Sequence, residues 1–138
     1  MRELHITDPA SARPKAGGPL AGVRLGPVSR LHLRHIETAL VTKFTGFVEL
    51  ADFQTAKPDM FRVAFLSRAL AAYPVAEIIG DARREVALGI TDGTDDNGID
   101  LIHDDTSQER QNLVQSKWDS SGSDGPQVGD VQKFIQGF

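Results

Sequence analysis

Two short segments of the sequence carry side chains that chemistry can use. Asp96-Asn97-Gly98-Ile99-Asp100 sets two acids around a glycine turn, and Gln115-Ser116-Lys117 follows further along the chain. In a strand, a period of two puts Gln115 and Lys117 on one face, about 6–7 Å apart. A hairpin turning near Ser107-Gln108 would set Asp100 opposite Gln115, and a slip of one residue would separate them. A carboxylate, an amide oxygen and an ammonium would then converge at one end of a sheet. Such oxygens suit Mg²⁺ or Mn²⁺, hard cations that retain several waters. A cation there lowers the pKa of bound water and neutralises a phosphoryl oxygen, and a lysine beside it steadies transition-state charge. Taken singly, each residue has an ordinary structural use, Asp in turns and Lys on solvated strand faces. Their combination points to metal-assisted hydrolysis. A calcium loop starting at Asp92 fails the required pattern, because Asn97 stands where the glycine belongs and His103 where the glutamate belongs.

The elements that must position these residues are partly legible. Ser29 is a suitable N-cap, and Leu33, Ile36, Leu40, Phe44 and Phe47 recur at helical spacing behind it. Within that helix Arg34 and His35 are expected to face solvent. Lys57-Pro58-Asp59 opens a second helix, with Phe61, Phe65, Ala69 and Tyr73 on one face and Pro74 as its stop. A short third helix is expected from Pro74 to Ile79. Val86 to Ile90 fits a strand or a helix end equally well, and Thr91 to Gly98 is turn chemistry throughout. Ile99–His103 and Asn112–Trp118 read as strands joined by the polar stretch from Asp104 to Gln111. After a loop from Ser120 to Gly125, Val128, Val131, Phe134 and Ile135 form the apolar face of a last helix. The class is α/β, bordering on α+β. Residues 1–28, with four prolines and four glycines, read as a loosely attached arm before one domain over 29–138.

Composition narrows the function. The chain has 138 residues, 40% hydrophobic and 25% charged, which suits one globular domain. No window approaches a membrane-spanning run, and the first residues lack the apolar core of a signal peptide. With no cysteine, disulfides and thiolate chemistry are excluded, and a cytoplasmic location without membrane partners is the expectation. The net charge of −4 is uneven: residues 92–138 hold ten acids against three bases, giving −7, and residues 1–91 carry +3. An acidic half repels a polyanion unless a cation or a basic surface offsets it.

The run Gly89 to Asp100, followed by Val114-Gln115-Ser116-Lys117-Trp118, resembles the restriction-endonuclease-like PD-(D/E)XK superfamily. The similarity is to its Mrr-like branch, with a Q-x-K motif, and most closely to the N-terminal domain of AIPR (abortive phage infection) proteins. Val128 to Gly137 resembles the helix that follows the motif there, so the likeness covers about residues 59–138. The resemblance implies an αβββα(β) core behind extra N-terminal helices. It makes Asp100 the principal metal ligand, puts Gln115 in the place of the second acid, and makes Lys117 the catalytic lysine. The Ser116 carbonyl would also face the metal, with Asp96 or Glu77 as a further ligand. The implied activity is a Mg²⁺- or Mn²⁺-dependent nuclease acting on nucleic acid, DNA first, in defence against phage or foreign DNA. Two departures stand out: the helix from Asp59 to Tyr73 holds no glutamate, and the final core strand is missing. The second raises the expectation of a homodimer, or of completion by the rest of a longer chain. The rival expectation is a catalytically silent nuclease-like fold serving as an interaction or assembly module.

Overall fold

The computed structural model describes residues 28–91, 98–123, 125 and 127–136. The arm expected over residues 1–28 therefore lies, up to residue 27, outside the described residues, as do Asp92 to Asn97. The described chain is a mixed structure of helices and one two-stranded antiparallel sheet. Helix α1 (Arg30–Phe44) starts at Ser29, whose hydroxyl accepts the His32 amide. That cap satisfies one of the orphan donors of the first turn. Leu40 and Phe44 are buried, whereas Ile36 is exposed and Phe47 lies in the turn beyond the helix. Arg34 and His35 face solvent.

Helix α2 (Pro58–Ile78) is the centre of the molecule, packing against α1, a short helix α3 (Arg83–Ala87) and the sheet. Pro58 occupies its first turn, where a missing N–H costs nothing. Pro74 does not stop it. The proline itself is exposed, and buried Val75 and Ala76 hold the next turn in place. The expected third helix from Pro74 is thus the last turn of α2. Ala64, Ala69, Ala71, Ala72 and Ala76 are all buried, and their small side chains admit neighbours on several sides. The core joins them to Leu40, Phe44, Leu66, Val86 and Leu101.

A charged residue also lies inside. Arg68, 5% exposed, forks onto Asp52 at 2.8 and 2.6 Å and donates to the Glu49 carbonyl. It fastens the 3-10 turn Ala51–Phe53 to α2 and lies over the Phe53 ring.

Strands β1 (Leu101–Asp105) and β2 (Arg110–Val114) pair from Leu101↔Val114 to Asp105↔Arg110. The turn is therefore shorter than the polar stretch implied, and Asp104 and Gln111 belong to the ladder. Asp105 organises it, accepting from the Ser107 hydroxyl and from the Ser107 and Gln108 amides. β1 buries Leu101, His103 and Asp105 on alternate positions. The ambiguous segment resolves into both readings. Val86 and Ala87 end α3 against the core, and Ile90 makes an isolated bridge to Leu101. Gly89 permits that approach, since a Cβ there would collide with the Ile102 carbonyl. Where the resemblance implies three strands, the described residues hold two and this bridge. Helix α4 (Val128–Gln136) completes the described chain, with Val128, Val131 and Ile135 exposed. Among the described residues no helix is long and apolar enough to cross a membrane.

Candidate functional site

Regular pairing ends at Leu101↔Val114: the Asp100 amide donates to the Val114 carbonyl at 2.8 Å, one residue off the ladder register, so the ladder does not extend to an Asp100–Gln115 pair. The Ser116 amide then donates to Asp100 Oδ2 at 2.5 Å, and the Ser116 hydroxyl donates to the Ser67 carbonyl of α2 at 3.0 Å. Ser116 thus turns toward α2, and Gln115 and Lys117 take the other face of an extended segment.

Asp100, Gln115, Ser116 and Lys117 together line a cleft of about 530 Å³ between β2 and α4. Val131 and Phe134 of α4 wall its far side, with Asp130 and Lys133 at the rim. The Lys117 ammonium lies 3.7 Å from Asp130, whose carboxylate also accepts the Gln127 amide at the start of α4. The site lysine is therefore held by a carboxylate that caps the facing helix. Gly98 lines the cleft too, with φ +78°, and a Cβ there would lie 3.3 Å from Gln115 Nε2.

A second cleft of about 530 Å³ opens on the α2 side of the same strand and shares Asp100, Ser116 and Lys117 with the first. Asp59, from the first turn of α2, lines it. Asp59 is an acid that the sequence reading did not single out as a ligand, and its place directly after Pro58, at the start of α2, is the signal that could have found it.

Of the other expected acids, Glu77 is not brought here. Glu77 pairs with Lys43 of α1, ten residues beyond Ser67 and so about 15 Å further along α2. It cannot serve as a ligand beside Asp100, because α2 carries it away from the sheet end. Asp96 lies outside the described residues. Glu49 accepts the Leu50 and Ala51 amides through its side chain.

The donor set is one carboxylate, one amide oxygen and one backbone carbonyl, with Asp59 in the adjoining cleft. Among the described residues no group of three His, Cys, Asp or Glu could hold a metal ion. A set this poor in negative charge fits a hard cation that keeps several waters and draws on substrate phosphate, as Mg²⁺ does. It does not fit zinc.

Comparison with protein-family models, with curated proteins and with solved structures returns no match, so the reading rests on these residues and their geometry.

Proposed function

We propose that the chain is a metal-dependent nuclease domain that hydrolyses phosphodiester bonds of nucleic acid. The observation that carries this reading is the single cleft that Asp100, Gln115, Ser116 and Lys117 line together. Asp100, the Gln115 amide oxygen and the Ser116 carbonyl would hold Mg²⁺ or Mn²⁺, with Asp59 available from the α2 side. Bound there, the cation supplies an activated water and charge neutralisation at the phosphoryl oxygens. Lys117 holds a proton-bearing ammonium at the cleft, where it steadies the extra negative charge of the transition state. Asp130 restrains that ammonium, and Ser116 fixes the strand by bonding both Asp100 and α2. The restriction-endonuclease-like core belongs to the same proposal, as does a role in defence against phage or foreign DNA. The chemistry of the cleft is supported by geometry; the defence role is supported by the resemblance alone.

One observation favours a second reading, a silent nuclease-like interaction module: the described site has one carboxylate in its first cleft besides the one pairing Lys117. Cleavage assays on plasmid, single-stranded DNA and RNA, with Mg²⁺, Mn²⁺ or EDTA, separate the two. The nuclease reading expects metal-dependent cutting that Lys117→Ala abolishes without unfolding the protein. Equal cutting by wild type and Lys117→Ala would overturn the assigned role of the lysine. No cutting by wild type with either metal leaves the module reading in possession.

A further inference from the structure

A third cleft, of about 290 Å³, lies beside the site and is cationic. Arg30 and Arg34 of α1, one helical turn apart, and Arg62 of α2 line it, with Glu37 as the one acid. Arg62 pairs with Glu37. Arg30 and Arg34 are exposed and make no ion pair among the described residues, so two guanidiniums face solvent unneutralised. Trp118 closes the cleft and also lines the cleft that holds Asp59, Asp100 and Lys117. The three clefts are therefore neighbours: the middle one shares Asp100, Ser116 and Lys117 with one outer cleft and Trp118 with the other.

Resting on the nuclease reading for what happens at Asp100, we propose that the Arg30–Arg34–Trp118 cleft is a strand-holding subsite for single-stranded nucleic acid. Free guanidiniums take backbone phosphates with paired N–H donors. An indole next to them takes an unpaired base by stacking, which a duplex with its bases already stacked does not offer. The cleft also answers the charge problem of the chain, because its basic surface lies outside the acidic half. An acidic peptide would satisfy the arginines but leave the aromatic wall unused.

Trp118 is the single tryptophan of the chain, so its fluorescence reports on this cleft and the adjoining one, and the arginine variants assign the signal to this cleft. The test is titration of the full chain with a labelled oligothymidylate of about a dozen nucleotides in EDTA, where cleavage cannot intervene. Expected are quenching of the indole and about tenfold or greater weakening in the Arg30→Ala/Arg34→Ala double variant. Its slope of log affinity against log salt should fall by about 1.4, the value for two lost phosphate contacts on a single strand. Because both arginines are exposed and make no ion pair among the described residues, the double variant should melt with wild type. Undiminished binding by the folded double variant, an unquenched indole, or equally tight binding of duplex DNA or polyglutamate would overturn the proposal. Its failure is distinguishable from failure of the nuclease reading. Arginine-dependent binding without metal-dependent cleavage overturns only the latter, and cleavage with arginine-independent binding overturns only the subsite.

Discussion

The Ser116 amide donates to Asp100 Oδ2, so the carboxylate assigned to the cation also fastens the chain just beyond β2. One residue thus serves fold and chemistry, and the two roles respond differently to substitution. Asp100→Asn keeps an oxygen for the Ser116 amide and loses the charge. Asp100→Ala loses both and leaves a part-buried donor unpaired, at a cost of about 1–3 kcal/mol. Melting curves with and without Mg²⁺ read both effects. The asparagine variant should melt near wild type and the alanine variant lower, and neither should gain stability from the metal as wild type does. A metal-induced rise that persists in Asp100→Ala would remove Asp100 from the metal site.

Gly98 and Gln115 form a similar pair. At φ +78° the glycine occupies backbone that a β-carbon disfavours by about 1–2 kcal/mol. Any Cβ would also sit 3.1 Å from Lys133 Cβ and 3.3 Å from the Gln115 amide nitrogen. Gly98→Ala should therefore lower the urea midpoint and, by displacing Gln115, reduce cleavage by more than the lost stability explains. Assaying at a temperature where the variant is still fully folded isolates the second effect.

Arg68 is the charged residue on which the α2 end of the molecule depends. Its guanidinium holds the Asp52 carboxyl below the usual carboxylate range, chiefly through their hydrogen bonds. Arg68→Ala removes a buried side chain and three donated bonds, and should cost about 2–3 kcal/mol, judged by bonds to charged groups. Arg68→Lys cannot reproduce the fork and should recover little. Chemical denaturation of the two variants beside wild type measures it.

The part of this architecture legible in the sequence is the part set by local rules. Ser29 capped its helix as side-chain chemistry requires, and the hairpin turns about Ser107-Gln108, where the spacing put its midpoint. What depends on tertiary context was not legible. Pro74 signals a stop, yet burial of its neighbours outweighs one lost hydrogen bond. Glu77 lies in the same helix as the residues near the site, but only the direction of α2 shows that it points to the other end. Asp130 as partner of Lys117 depends on where α4 docks. Arg68 looks like any helix-surface arginine until Asp52 is brought beneath it. Trp118 and the α1 arginines come together only through packing, though the i, i+4 spacing of Arg30 and Arg34 marks them as one face.

Asp105 gives the hairpin a dependence on acid. Its carboxyl is held below the ordinary carboxylate range, first by the Ser107 hydroxyl, then by the Gln108 amide, the Arg110 charge and the Ser107 amide, against the opposing effect of burial. The folded form therefore ionises more readily than the unfolded chain, whose aspartates titrate near about 3.9. The stabilisation is fully present above that value and is lost as pH falls through the lower folded value. Asp105→Asn keeps one acceptor oxygen and removes the titration. The stability advantage of wild type over the variant should be constant from neutral pH to about 5, and should narrow below about 4. Denaturation midpoints of both proteins at those pH values decide it. A gap that stays constant to the lowest pH would show that the Asp105 charge contributes nothing, leaving only the geometry of its hydrogen bonds to close the turn.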